Sequence, residues 1–180
     1  TWSNSFVLEK YLQWDGICIE PHPESFKELV KERDAQCLNI CAASANKDVT
    51  YRQVKGEADV LSGIVDQFCD DHKSRIQDEI SAHNSSYEDI TIPAKTLTSI
   101  LKDKGFSSVD YLSIDAEGGE FEILSGLDFN QYSPKLISVE EECKEQKRNT
   151  DQQAEDLLLS CGYEKQQKVC GDLFYSLREQ

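Results

Sequence analysis

A chain of 180 residues is long enough for one domain with a sizeable core, and nothing in its composition marks a second domain. A formal charge of −15 argues against a nucleic-acid backbone or an anionic lipid surface as ligand, because both attract clustered Lys and Arg. No apolar run approaches the roughly 18 residues of a membrane helix, and residues 1–4 lack the basic and apolar regions of a signal peptide.

Helical and strand patterns alternate along the chain. Residues 5–12 set Phe6, Val7, Tyr11 and Leu12 near one helical face. Gly16 introduces a short apolar strand, Ile17-Cys18-Ile19, which ends at Glu20-Pro21. Pro23 suits the first turn of a helix, where a missing N–H costs nothing, and Phe26, Leu29 and Val30 follow at helical spacing. Residues 35–43 read as one buried strand and 49–54 as a third, at a sheet edge. Residues 58–86 are the least regular, suggesting short helices and a mobile loop.

A short strand is expected at 90–93 and a helix at 97–104, closed by Gly105. A buried strand at 109–114 ends in Asp115, and a helix over 118–127 follows it. Residues 136–139 form another strand, ending in Glu140-Glu141-Glu142. A helix over 151–161 stops at Gly162. Two final strands, 163–169 and 172–177, turn around Gly171. Strands alternating with helices imply a parallel sheet covered on both faces, and the last two strands must form an antiparallel hairpin.

Seven cysteines occur, an odd count without a C-x-x-C. Cys37 and Cys41 have no second Cys or His pair to complete a zinc site. Cysteines within apolar stretches read as buried free thiols, which fits a reducing compartment such as the cytoplasm. Asn84-Ser85-Ser86 matches a glycosylation sequon.

In an open α/β sheet, ligands bind beyond the carboxyl ends of the strands. Glu20 follows the first apolar strand, Ala42, Ala43 and Ser44 the second, Asp115 and Glu117 a later one, and Glu140 the next. A carboxylate in the place of Glu20 can accept both hydroxyls of a ribose, or can be a solvated strand-end acid. Asp115 and Glu117 can stabilise a helix N-terminus, or Asp115 can orient or deprotonate an acceptor hydroxyl. Asp115, Glu117 and Glu120 could also surround Mg²⁺, but no fixed ligand pattern supports a metal and none is expected. His22 would lie beside the ribose position without a role as base.

Several segments together resemble the FkbM family of S-adenosylmethionine (SAM) methyltransferases. They are Phe6-Val7-Leu8-Glu9-Lys10-Tyr11-Leu12, the Gly16 to Pro23 segment, Leu61-Ser62-Gly63-Ile64-Val65, Thr96 to Leu101 and Asp110 to Glu120. Gly162-Tyr163 and Asp172-Leu173-Phe174-Tyr175 complete them. The resemblance covers nearly the whole chain, and its most specific part is the Asp-x-Glu-Gly-x-Glu segment at Asp115.

The resemblance implies an α/β fold: a Rossmann-like class I methyltransferase sheet with helices on both faces and an antiparallel C-terminal hairpin. It implies a single domain over residues 1–180, SAM as methyl donor and a hydroxyl on a small molecule or glycan as acceptor. It puts Glu20 and Pro21 at the SAM ribose, Ala42, Ala43 and Ser44 near the adenine, and Asp115 and Glu117 at the reactive end. The family's first strand and its Asp-x-Gly-Ala-x-x-Gly loop do not precede Glu20, so this sequence is expected to be a fragment of a longer protein. A domain that keeps the fold without SAM binding is the alternative. An NAD-dependent oxidoreductase also has an acid after its second strand, but the reversed hairpin and the Asp-x-Glu-Gly segment favour the methyltransferase.

Overall fold

A computed structural model describes residues 3–83, 85–140 and 149–178. The Asn84 sequon, Glu141, Glu142 and Cys143 lie outside the described residues. The fold is mixed α/β, with strands in three sheets and helices between them. It divides into two compact units: residues 1–41 with 47–94, and residues 42–46 with 95–180.

The first unit begins with α1 (Phe6–Leu12), β1 (Ile17–Ile19), α2 (Pro23–Glu32) and β2 (Gln36–Leu38). Strands β1 and β2 pair in parallel, with Ile17 opposite Gln36 and Ile19 opposite Leu38. Pro23 occupies the first turn of α2 as expected, and His22 caps that helix by accepting the Ser25 N–H at Nδ1. The helices α1 and α2 are tied by an ion pair. Arg33 Nε donates to Glu9 at 2.5 Å, and both side chains are over 90% buried. The rest of the Arg33 guanidinium donates to the hydroxyls of Ser3 and Ser5.

Residues 35–43 are not one strand. Asn39 and Ile40 interrupt them, and the chain resumes as β3 (Cys41–Ala42). The Asn39 side-chain amide donates to the carbonyls of Glu20 and Pro21, so it ties two strand ends together instead of continuing the ladder.

Next comes β4 (Lys47–Lys55), which is central and not an edge. It pairs antiparallel with β5 (Gly63–Ile64) on one side and β6 (Ser86–Lys95) on the other. Its polar residues occupy a solvated face and pair across strands. Arg52 makes a bidentate bond to Asp89 and stacks over Tyr87, while Lys55 reaches Glu88. This antiparallel sheet departs from the expectation that antiparallel pairing is confined to the C-terminal hairpin.

Residues 58–86 are also more regular than expected. Two 3-10 turns, at Asp59–Leu61 and Val65–Gln67, lead into the 14-residue α3 (Asp70–His83). The apolar stripe of α3 was hard to read because one of its buried positions is His72, stacked 4.5 Å from the Phe68 ring, with Ile76 one turn on. Val54, Ala58, Leu61, Phe68 and Ile76 form a core cluster here. Gly63 is required by packing, since a Cβ would lie 2.6 Å from the Phe68 ring.

In the second unit, α4 (Leu97–Asp103) is capped by Thr96 and closed before Gly105, at φ +77°. Strands β7 (Tyr111–Ile114) and β8 (Leu136–Glu140) pair in parallel. Between them, α5 (Glu120–Ser125) is shorter than the expected 118–127 helix, because Gly118 at φ +104° remains in the preceding loop. After α6 (Asn149–Ser160), β9 (Tyr163–Val169) and β10 (Asp172–Leu177) form the expected antiparallel hairpin, giving the order β7-β8-β10-β9. Leu124, Ile137, Leu158 and Tyr163 are fully buried, and the Tyr163 hydroxyl donates to the Pro134 carbonyl at 2.7 Å. No helix among the described residues is long and apolar enough to cross a membrane.

Candidate functional site

Parallel pairing of β7 and β8 brings two acids side by side. Ile114 faces Val139 in the register, and Asp115 and Glu140 are the next residues on their strands. Asp115 is exposed and Glu140 half-buried. One oxygen from each of Asp115, Glu117 and Glu140 lies within 4.8 Å of the others. Burial pushes the Glu140 carboxyl up to about 8, and the charge of Asp115, a hydrogen bond to Asp115 and the charges of Glu117 and Glu120 add to it. At neutral pH Glu140 therefore holds a proton and donates it to Asp115, which relieves the repulsion between them. Oxygen clusters of this kind also have the chemistry of a hydrated divalent-cation site.

The loop from Asp115 to α5 is built around Glu120. Its side chain is 2% exposed, and Oε1 accepts the N–H groups of Ala116 at 3.1 Å and Gly118 at 3.0 Å. These bonds hold a turn in which Glu117 has φ +50°, a left-handed conformation uncommon for a residue with a side chain. Neither Asp115 nor Glu117 caps α5 by a side-chain hydrogen bond. The N-cap of α5 is Gly119, and no side chain caps it. Glu120 and Glu140 line one cleft with Val139, Asp151, Ala154, Leu173 and Tyr175, so a further acid shares the cleft with them.

Glu20 and Pro21 lie in the first unit, at the carboxyl end of β1. Glu20 Oε1 accepts the His22 N–H at 2.8 Å, which fixes the carboxylate next to its own strand end. His22 is 5% exposed and is structural: Nε2–H donates to the Val54 carbonyl at 3.0 Å while Nδ1 serves the helix cap. The charge of Glu20 adds to burial in pushing the Cys41 thiol up to about 12, and acts in the same direction on the buried Tyr51 hydroxyl.

Ala42, Ala43 and Ser44 belong to the second unit. The Ala43 N–H donates to the Lys95 carbonyl, and the Ser44 hydroxyl donates to Glu122 on α5. Gly126 packs so tightly on the Ala43 carbonyl that a Cβ there would approach it to 2.3 Å. The structure thus brings Asp115 and Glu117 together and ties Ser44 to α5 within the second unit, and it holds Glu20 and Pro21 at the end of β1 within the first.

Sequence reasoning placed Glu140 among strand-end acids without giving it a role. The signal was its position after a strand that the alternation puts beside β7. It missed Asn39 altogether, although an Asn directly after an apolar strand is a typical residue for tying off a loop. Expecting mostly buried thiols was right for Cys41 and wrong for Cys69 and Cys170, which are exposed.

The family model described as the methyltransferase FkbM domain matches residues 2–165. No curated protein and no solved structure matches the chain.

Proposed function

The chain belongs to the methyltransferase FkbM domain family, and from that premise we propose that it transfers a methyl group from SAM to a hydroxyl on a small molecule or glycan. The observation that carries this reading is the Asp115–Glu140 pair at the carboxyl ends of two parallel strands, where burial and the neighbouring Asp115 push the Glu140 carboxyl up. A hydroxyl acceptor must lose its proton as its oxygen attacks the methyl carbon. Asp115 is the base: its carboxylate is exposed, and the hydrogen bond from Glu140 fixes its orientation. The buried Glu120 carboxylate holds the loop that presents Asp115 and Glu117.

SAM supplies an electrophilic methyl group on a sulfonium. The Glu20 carboxylate suits the cofactor's ribose, because the His22 N–H orients one of its oxygens at the end of β1. Pro21 keeps that turn short. Ala42, Ala43 and Ser44 are small enough to admit an adenine edge, and Glu117 lies on the Asp115 loop. In this reading the chain is a methyltransferase domain with a Rossmann-like sheet. The acidic surface supports an acceptor other than nucleic acid. The six described cysteines are free, which supports a reducing, cytoplasmic setting.

Calorimetric titration of SAM into the full-length protein tests the cofactor assignment. A single site is expected, weakened about tenfold or more by Glu20→Ala. Absence of binding, or an affinity that Glu20→Ala leaves unchanged, would remove the basis for the ribose contact.

A further inference from the structure

Strands β1 and β2 set two thiols against each other. Cys18 and Cys37 are register partners in adjacent parallel strands, both are free, and both are half-buried. The Cys37 thiol donates to the Ala35 carbonyl at 3.4 Å, and Cys37 is among the groups that raise the Cys18 thiol. Adjacent strands run about 4.8 Å apart, inside the roughly 4.4–6.8 Å range of Cα separations that a disulfide spans. The other described thiols lack this arrangement. Cys41 is 2% exposed, and Cys69, Cys161 and Cys170 lie outside the strands of the described residues, so no strand register sets another cysteine against them.

We propose that Cys18 and Cys37 form an oxidation site, which a peroxide converts into a reversible cross-strand disulfide beneath the Glu20 turn. The sulfur of Cys37 attacks one peroxide oxygen, the O–O bond breaks, and water leaves as the thiol becomes a sulfenic acid. The sulfur of Cys18 then attacks the Cys37 sulfur, the S–O bond breaks, and a second water carries away the Cys18 proton. Two thiols lose two electrons in total and one peroxide gains them. Burial raises the Cys18 thiol to about 11, so the resolving step relies on the pairing of the two residues across the strands and not on a ready thiolate.

Facing Cβ atoms in a parallel pair stay near the strand spacing. That is wider than the roughly 3.8 Å an unstrained disulfide prefers. The bond therefore forms under strain and yields readily to a dithiol reductant, as regulatory disulfides do. The position gives the bond a consequence. Cys18 lies two residues before Glu20, and Cys37 two before Asn39, whose amide donates to the Glu20 and Pro21 carbonyls. Drawing the strands together moves both sides of that junction.

The test treats the native full-length protein with one equivalent of hydrogen peroxide, alkylates the remaining thiols and maps the digest by mass spectrometry. The expected product is a Cys18–Cys37 peptide pair lacking two hydrogens, restored to two alkylated thiols by dithiothreitol. In Cys18→Ser the Cys37 sulfenic acid should instead be trapped by dimedone. Full alkylation of Cys18 and Cys37 while exposed Cys69 and Cys170 are oxidised would overturn the assignment. So would linkage of Cys18 to any other cysteine. Neither readout involves SAM, so the outcome stands apart from the methyl-transfer reading.

Discussion

Asp115 and Glu140 each stand one residue beyond the Ile114–Val139 pair of two parallel strands, and their carboxyl groups are joined by a hydrogen bond. Two acids this close cannot both ionise cheaply, and the more buried of them keeps its proton to about pH 8.

That raised value has a consequence for stability. Glu140 holds its proton in the folded protein up to about pH 8, whereas an unfolded glutamate loses it near its ordinary value of 4.5. Between these limits the folded state binds more protons than the unfolded state. Stability therefore falls as pH rises through this window, and the contribution is gone above about pH 8. Thermal unfolding from pH 5 to 9 should show the decline in the wild type and a shallower one in Glu140→Gln. Asp115→Asn should flatten it in part, because the neighbouring charge is removed while the burial remains.

Glu120 is expected to matter more for the loop than for the net charge. Glu120→Ala leaves the buried Gly118 N–H and the part-buried Ala116 N–H without their acceptor, at a cost of roughly 1–3 kcal/mol. Glu120→Gln retains a carbonyl oxygen that can accept both and should cost less. Hydrogen exchange at Ala116 and Gly118 reports this directly, with fast exchange in Glu120→Ala and near-native protection in Glu120→Gln.

The Glu9–Arg33 pair predicts an asymmetry between neighbouring charges. Glu9→Ala strands a buried guanidinium with only serine hydroxyls for partners, and should destabilise the protein by about 3 kcal/mol. Lys10→Ala removes a partner of the exposed Asp34 and should change stability by under about 1 kcal/mol. Urea denaturation of the two variants separates these effects.

The sequence made the ends of the chain legible. Gly16, Pro23, Gly105 and Gly171 punctuate strands and helices as local chemistry requires, and the final hairpin matches its expected bounds. The middle was not legible, because tertiary partners decide it. β4 looks like an edge until Arg52 and Lys55 find Asp89 and Glu88 on β6. The stripe of α3 is interrupted by a histidine that happens to be buried. At the site, the acids could be found by their place after apolar strands. The sharing of a proton between Asp115 and Glu140 depends on which strands pair and on the walls around Glu140, and neither is encoded locally.

The most direct measurement of the central claim follows transfer of a labelled methyl group from SAM to a panel of hydroxylated small molecules and glycans, comparing wild type with Asp115→Asn. The account predicts label in an ether oxygen product. It also predicts a rate reduced by about 10²–10⁴ in Asp115→Asn, the usual worth of a general base. Transfer by Asp115→Asn at the wild-type rate, or SAM binding with no label passed to any hydroxyl, would contradict it.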